Sequence, residues 1–245
     1  MCVGHNERVF KIMTKENKIV AWSYSRLSCY ESCPLQFKYR NIDKLPEPKA
    51  APMIRGIKIH NQAAKYLSGE TKIFPPSCEN FRELFNDLLE LTPIVEQKWA
   101  FDKNWKSVRY FHPTVKLRVT LDVGLNYKDG TAEVIDHKTG KFYPDNTDYK
   151  DQGVLFGGAM IKKFPEIHHV TTRLWFLDSG DEVIEEYGRE EILELLADLE
   201  ERAEIMLNAT YFPPKPSWKC GGVTKEGKVW GCHWRASNNG PCKFG

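Results

Sequence analysis

The sequence predicts an α/β protein with a central mixed β-sheet flanked by helices. Two apolar runs, residues 119–127 and 132–135, are separated by Lys128-Asp129-Gly130. An Asp-Gly pair supplies the positive φ angles of a tight hairpin turn, so the two runs are expected to be paired strands. Helical periodicity surrounds this hairpin, at residues 54–67, 78–91, 149–163 and 190–208. Strands enclosed by helices along the chain favour a layered α/β arrangement.

The individual elements follow from local patterns. A helix is expected to start at Ser23 or Ser25 and to be interrupted or restarted by Pro34. Strand character is expected at residues 9–13, and strands at residues 94–101, 107–111, 115–127, 131–138, 170–177 and 182–187. The expected inward face of the 54–67 helix carries Ile57, His60, Ala64 and Leu67, and that of the 78–91 helix includes Leu84, Phe85, Leu88 and Leu89.

The chain is expected to be a single domain of residues 1–245 in four parts. These are a helical arm (1–53) that carries Cys33, a core (54–187), a long helix (188–211) and a cysteine-rich segment (212–245). Hydrophobic residues make up 41% and charged residues 28% of the chain, as in ordinary soluble globular proteins.

Charge and hydropathy exclude some classes of protein. The net charge of +2 means that any nucleic acid must be held by local patches rather than by a global field. There is no run of 18 apolar residues, which argues against a membrane-spanning helix. The N-terminus lacks the apolar core of a signal peptide, so a cytoplasmic location and reduced cysteines are expected.

Three charged residues mark the predicted hairpin. Asp122 lies on its first strand, and Asp136 and Lys138 end the second. Residues two apart in a strand share a face, so Asp136 and Lys138 project together, within reach of Asp122. Carboxylates in apolar strands are costly to bury unless they are paired or bind a metal. The group suits a divalent cation with oxygen ligands, and the alternative is a surface ion pair.

These residues belong to an ordered set of motifs that resembles the PD-(D/E)XK nuclease superfamily, in its RecB-like branch. That branch includes RecB and AddB nuclease domains, phage exonucleases and CRISPR adaptation nucleases. The matching elements, in chain order, are Gly56 with His60, the strand acid Glu96, Asp122, Asp136-His137-Lys138, and Gln152 with Phe156 in place of the family's tyrosine. The set spans residues 23–245, nearly the whole chain.

The resemblance implies a restriction-endonuclease-like core and metal-assisted phosphodiester hydrolysis. His60, Asp122, Asp136 and the backbone carbonyl of His137 would bind Mg²⁺ or Mn²⁺. Lys138 would orient the attacking water or stabilise the developing charge, and Gln152 would position the nucleophile or the phosphate. Glu96 would orient a metal-bound water or support a second metal. The residues near the motifs that could contact the DNA strand are Arg55, Lys58, Lys141 and Tyr143.

Cysteines predict a second site. Cys220, Cys232 and Cys242 crowd into the last 26 residues among glycines and prolines, where a metal centre could replace the missing apolar core. Cys33 is the candidate fourth ligand. The resemblance implies a [4Fe–4S] cluster that clasps the two ends of the chain, although residues 223–228 expand the first cysteine spacing as a hairpin insertion. Zinc, with His233 as a substitute ligand, and free cysteines are the alternatives.

The expected function is that of a DNA exonuclease acting on single strands or duplex ends in replication, recombination or repair. Its partners would be DNA and recombination or replication proteins, and a phage-encoded chain would work in the host cytoplasm. Two alternatives are a non-catalytic nucleic-acid-binding module with the same fold, and an endonuclease.

Overall fold

The computed structural model describes residues 19–144, 148–225 and 229–244. The strand expected at residues 9–13 lies outside these ranges. The chain forms two compact units. The sheet unit contains Ala21–Ser28 and Pro48–Asn208, and the cysteine unit contains Cys29–Glu47 and Ala209–Gly245 together with the N-terminal residues to Val20.

The sheet unit is built on a five-stranded mixed sheet. Its strands are β1 (Ile94–Phe101), β2 (Leu117–Asn126), β3 (Thr131–Lys138), β4 (His169–Phe176) and β5 (Asp181–Gly188), in spatial order 1-2-3-4-5. Only β3 and β4 pair in parallel, and the remaining neighbours are antiparallel. The parallel pair requires a crossover connection, which a helix provides. The predicted α/β class with a mixed sheet is confirmed.

The helices of the chain begin and end close to the predicted positions. They are α1 (Tyr24–Ser32), α2 (Pro34–Phe37), α3 (Ala51–Leu67), α4 (Arg82–Glu90), α5 (Asp148–Lys163) and α6 (Arg189–Leu207). A 3₁₀ helix (Pro76–Phe81) precedes α4. Within the described ranges, no helix is both long enough and apolar enough to cross a bilayer.

Helices cover both faces of the sheet. On one face, side chains of α3 and α4 form a buried cluster with Val123 of β2, Ile135 of β3 and Trp175 of β4. On the other face lies α5, where a Cβ added at Gly124 would be 3.5 Å from Met160 Sδ. Because successive strand residues point to opposite faces, Val123 and Gly124 mark the two sides.

Glycines bring α5 close to its neighbours. A Cβ added at Gly153 would lie 2.8 Å from Thr172 Oγ1 on β4. At Gly158, an added Cβ would lie 2.8 Å from a Leu196 methyl on α6. These contacts fix α5, which carries Gln152, against the parallel strand pair.

One predicted strand and part of two predicted helix faces are wrong. Residues 107–111 form no strand, and only Ser107 makes a bridge, to Phe101. The Asp102 side chain accepts hydrogen bonds from the Asn104 and Lys106 amides (2.8 and 3.0 Å) and bends the chain into a loop.

On α3 the buried stripe is Ile59, Ala63 and Leu67, whereas Ile57 is exposed. On α4, Phe85 and Leu88 are buried, and Leu84 and Leu89 are exposed. Both helices turn a narrower stripe towards the sheet than the apolar pattern predicts, because each packs on one edge of a single buried cluster.

The cysteine unit has little regular structure. Pro34 begins α2, as predicted, and a π-helix (Lys38–Ile42) follows. The C-terminal part contains two 3₁₀ helices (Trp218–Cys220 and Ala236–Asn238) and a short hairpin of β6 (Gly222–Val223) with β7 (Val229–Trp230). The hairpin agrees with the expected insertion, although its tip lies outside the described residues.

Candidate active site and cysteine cluster

Three carboxylates lie in one row across adjacent strands. Val95 pairs with Val123 and Gln97 with Leu121, which places Glu96 opposite Asp122. Val123 pairs with Ile135, so the register extended by one residue places Asp122 opposite Asp136. Opposite residues on neighbouring strands point to the same face, with their Cβ atoms about 5 Å apart. The row therefore concentrates three negative charges where β1, β2 and β3 meet.

His60 joins this row from α3. Its Nδ1 lies 3.2 Å from Asp122 Oδ1, and the other oxygen of Asp122 accepts a hydrogen bond from the His137 amide at 2.8 Å. Ligand atoms of His60, Glu96 and Asp122 all lie within 4.8 Å of one another, close enough to share one ion. Carboxylate oxygens with one imidazole suit Mn²⁺ and, less strongly, Mg²⁺.

The backbone of Glu96 is held in an unusual conformation. Its φ angle is +48°, in the left-handed region that non-glycine residues rarely adopt. Strain of this kind costs about 1–3 kcal/mol and is found mainly at functional sites. The conformation interrupts the β1–β2 pairing at Glu96 and turns its side chain towards His60 and Asp122.

Asp136 is held by a second set of contacts. Lys138 Nζ lies 2.6 Å from Asp136 Oδ2, as expected for residues on one face of a strand. Gln152 of α5 bridges both residues, because its Nε2 donates to Asp136 Oδ1 (2.9 Å) and its Oε1 accepts from Lys138 Nζ (2.5 Å). The structure thus brings together Asp136, Lys138 and Gln152, next to the set formed by His60, Glu96 and Asp122.

The pKa values of the acids reflect this crowding. Burial and the charge of Asp122 raise the pKa of Glu96, and burial raises that of Asp136 against the opposing charge of Lys138. Burial alone would raise the pKa of Asp122, but the hydrogen bond and charge of His60 hold it below its usual value. Burial lowers the pKa of His60, but the acids outweigh that effect and raise it overall. A divalent cation would favour the ionised forms of Glu96 and Asp136 against the burial that raises their pKa values.

The His137 side chain does not belong to this charged group. It is buried and stacks on Phe85 with ring centroids 5.2 Å apart, and its Nε2 has no hydrogen-bond partner among the residues that the structure describes. Burial lowers its pKa to about 4, so the ring is neutral at physiological pH. His137 contributes to the site through its backbone amide. The predicted role of its carbonyl as a metal ligand stays a prediction.

Gly56 allows α3 to approach the segment that follows β3. A Cβ at this position would lie 3.0 Å from Thr139 Oγ1, one residue beyond Lys138. Arg55 donates to the Thr139 carbonyl at 3.2 Å and forms a two-pronged ion pair with Asp178. This Gly-x-x-x-His segment therefore positions His60 by packing its helix directly on the end of β3.

The suggested strand contacts differ in their availability. Arg55 is engaged by Asp178, whereas Lys58, Lys141 and Tyr143 are exposed. Sequence reasoning missed the polar residues of a groove of about 480 Å³ beside Glu96, which include Asn61, Lys65 and Ser68 of α3 and its C-cap. Their i, i+4, i+7 spacing marks one helix face and could have revealed them.

The four predicted cysteine ligands lie together in the cysteine unit. Cys33, Cys220, Cys232 and Cys242 all line one cavity of about 30 Å³, and none forms a disulfide with another described cysteine. Burial and the charges of the other three cysteines raise the pKa of Cys232. Arg235, which is buried, lines the same cavity. Lys215 and Lys219 line it as well, so the cavity combines four sulfur donors with three cations.

The sulfur atoms are spread more widely than around a single ion. A zinc ion with Zn–S bonds of about 2.3 Å would hold its thiolates about 4 Å apart. Within the described part of the chain, no three of these cysteines have sulfur atoms within 4.8 Å of one another. The predicted His233 substitution finds no support in this geometry, because His233 is absent from the cavity lining.

One comparison with known proteins supports the first part of the motif order. The family model of the PD-(D/E)XK nuclease superfamily matches residues 21–111, which include His60 and Glu96. A search of curated proteins found no significant match. Two similar solved structures are a candidate exonuclease from Eubacterium rectale (11% identity, 89% of this chain and 92% of that chain, TM-score 0.49) and SSO0001 (15% identity, 87% and 86%, TM-score 0.44). The family match confirms that the chain resembles the PD-(D/E)XK nucleases, as the order of its motifs predicts.

Proposed function

We propose that this protein is a metal-dependent DNA exonuclease. The observation that carries the proposal is the convergence of His60, Glu96 and Asp122 within 4.8 Å, beside the Asp136–Lys138 pair. The family match supports a nuclease at the coarser level. The RecB-like resemblance implies that the enzyme acts on single strands or duplex ends. It also implies a role in replication, recombination or repair, together with the proteins of those processes.

The donor set fits Mg²⁺ or Mn²⁺. His60, Glu96, Asp122 and Asp136 would hold the metal, with the His137 carbonyl as a further ligand. When bound, the metal supplies Lewis-acid chemistry and lowers the pKa of a coordinated water. Burial raises the pKa values of Glu96 and Asp136, and a bound cation would favour their ionised forms.

Lys138 and Gln152 act on the substrate side of the site. The Lys138 ammonium is aimed by two partners, Asp136 and Gln152, so it is fixed before substrate arrives. A fixed cation stabilises the charge that develops on the phosphate without reorganising in the transition state. Gln152 keeps its amide within reach of the same atoms and would position the water or a phosphate oxygen. Phe156, one turn later on α5, is buried and keeps only a packing role.

We further propose that the cysteine unit binds a [4Fe–4S] cluster. The four cysteines and the buried Arg235 support it, because thiolates bound to a cluster carry net negative charge that a buried cation compensates. Arg235 Nε has no hydrogen-bond partner within the described residues, which leaves one donor free for a cluster sulfur. The wide spacing favours a cluster over a single zinc ion, since separate iron atoms hold the separate thiolates.

Cleavage of end-labelled DNA tests the nuclease. The protein would be purified anaerobically and incubated with labelled single- and double-stranded DNA in the presence of Mg²⁺, Mn²⁺ or EDTA. Metal-dependent release of short labelled products would support the exonuclease and reveal its polarity. Nicking of closed circular DNA would favour an endonuclease. Binding without cleavage under any metal would replace the proposal with the non-catalytic binding module.

A further inference from the structure

The loop between β1 and β2 presents an aromatic ring to solvent. The Phe111 side chain is 83% exposed. It is nevertheless held in place, because Tyr110 packs edge-on against it with ring centroids 5.2 Å apart. The Arg118 guanidinium lies 5.3 Å from the Phe111 ring centroid, and Arg118 Nε donates to the Tyr110 carbonyl at 2.7 Å. Phe111 is therefore a positioned ring with one face available.

The loop itself is anchored to the sheet unit. Val108 and Tyr110 pack against a small buried cluster of Ala21, Ala100 and Val115. Backbone hydrogen bonds tie the loop to the end of β1, from the Val108 amide to the Ala100 carbonyl at 2.9 Å and from the Lys116 amide to the Phe101 carbonyl at 2.8 Å. Val108 and Tyr110 therefore pack inward, whereas the Phe111 side chain stays on the surface.

The surroundings of this ring are strongly basic. Residues 102–118 contain five Lys and Arg against one Asp, a charge of +4 within this segment, and only Lys116 of the five is paired with a described carboxylate elsewhere, that of Glu204. Lys103, Lys106 and Arg109 are exposed, and no carboxylate in the described part of the chain pairs with them. Lys163 Nζ joins the loop through a 3.2 Å hydrogen bond to Ser107 Oγ. The ring thus sits near the exposed cations of Lys103, Lys106 and Arg109, which can bind phosphates.

We propose that Phe111 is a stacking platform for an unpaired base of single-stranded DNA, with Lys106 and Arg109 on the adjacent phosphates. Aromatic rings among cations are the combination that binds single strands without sequence preference. The inference rests on the proposed function and extends it to a strand-binding element. Asp122 lies five residues along β2 from Leu117, about 17 Å at the rise of a strand. Phe111 would therefore contact the strand away from the bond that is cut.

Binding measured apart from cleavage tests this element. The anisotropy of a fluorescent oligothymidylate would be followed in EDTA, and again with Mg²⁺ in the Lys138→Ala background. Stacking on one ring contributes about 1–3 kcal/mol per base, so Phe111→Ala should weaken binding roughly 5- to 150-fold. Phe111→Trp should keep the affinity. Ile73→Ala, at a residue that is 78% exposed outside this loop, is the matched control and should have no effect.

The salt dependence separates stacking from charge. Lys106→Gln and Arg109→Gln should each reduce the slope of log Kd against log salt by about 0.7, the value for one phosphate of a single strand. Phe111→Ala should leave the slope unchanged. Weaker binding of the single strand, with unchanged binding of a duplex of the same length, would support the platform, because paired bases cannot stack on the ring.

The outcomes separate this inference from the proposed function. Equal affinity of Phe111→Ala and the parent chain for the single strand, or equal weakening on duplex, would overturn the platform even if the protein cleaves DNA. A parent chain that binds the single strand through Phe111 but never cleaves it would leave the platform standing and overturn the nuclease.

Discussion

The two candidate sites are built in opposite ways. The acidic row of the sheet unit is set by strand register, which places Asp122 opposite Asp136, and by the left-handed backbone of Glu96, which turns its carboxylate towards Asp122. The cysteine cavity lies among short and irregular elements. Among the described residues of the cysteine unit, Phe37 and Trp234 are the only buried hydrophobic side chains, whereas the sheet unit has an extensive core.

This difference indicates what each site needs in order to exist. The sheet unit can hold its carboxylates in place without a ligand, because apolar burial stabilises the strands that carry them. The cysteine unit buries too little apolar surface to offset the loss of chain entropy, so a bound group must supply the rest. The first site is preformed by folding, and the second is expected to fold with its ligand.

Substitution of one cysteine that lines the cavity should have the largest effect, and that effect should be confined to the cysteine unit. In Cys232→Ser we expect loss of iron and sulfide, and loss of amide-exchange protection throughout the cysteine unit, because metal binding and folding are one process there. Protection in the sheet should remain. Cys29→Ser, in the same unit but outside the cavity lining, is the control. Unchanged protection in the Cys232 variant would mean that the unit is stable without a cluster.

Lys138→Ala should show that the acidic row can lose its chemistry and keep its fold. Cleavage should fall about 10²- to 10³-fold, the usual effect of removing one group that stabilises transition-state charge. Asp136, whose pKa is already raised, can take up a proton when its partner is gone, so the melting temperature should change little. Lys72→Ala, at an exposed lysine, is the control. Full activity of a clean Lys138→Ala preparation would refute the assigned role.

Acid should weaken the sheet unit through His137. Its pKa is about 4 when folded and about 6.5 when unfolded, so as the pH falls through this window the unfolded state binds the proton first and stability is lost. The loss is complete near pH 4 and amounts to about 3 kcal/mol, at 1.36 kcal/mol per pKa unit. His137→Phe keeps an aromatic ring but has no imidazole to titrate. Between pH 7 and 4, its free energy of unfolding, measured in urea, should therefore fall by about 3 kcal/mol less than that of the parent chain. Parallel pH profiles of the two proteins would contradict the prediction.

The smallest effect should come from Gly56→Ala. The added methyl group would press on Thr139 Oγ1 at 3.0 Å and displace α3, which carries His60. Cleavage should fall a few-fold. The free energy of unfolding should not decrease, because alanine has a higher helix propensity than glycine by about 1 kcal/mol. Gly140→Ala is the matched control, since nothing lies within 4 Å of a Cβ there. Thr139→Ala should restore activity to the Gly56 variant, and failure to do so would remove the steric explanation.

The comparison also explains how far the sequence could be used for prediction. The β1 and β3 boundaries agree with the structure, because apolar runs and the Asp129-Gly130 turn define strands and register locally. The row of acids follows from that register. Glu96 could be placed on its strand but not in the left-handed region, since no local sequence pattern marks that conformation at a glutamate.

The loop at residues 107–111 shows the opposite case. Its β-branched and aromatic residues are typical of a strand, but the hydrogen bonds of Asp102 with the Asn104 and Lys106 amides turn the chain first. In the cysteine unit, the composition of the C-terminal segment indicated a metal centre, and the family resemblance supported Cys33 as the candidate fourth ligand. The path of the chain between the cysteines could not be predicted, because few apolar residues constrain it.

At Glu96, the left-handed backbone conformation places the stability of the protein and its activity in conflict. Glycine would relieve the strain and stabilise β1, but it would remove a carboxylate from the acidic row. A laboratory selection for heat resistance alone would therefore be expected to enrich glycine at position 96 and to yield sturdier proteins that are inactive. A selection that also demands DNA cleavage would have to find its stability elsewhere in the chain.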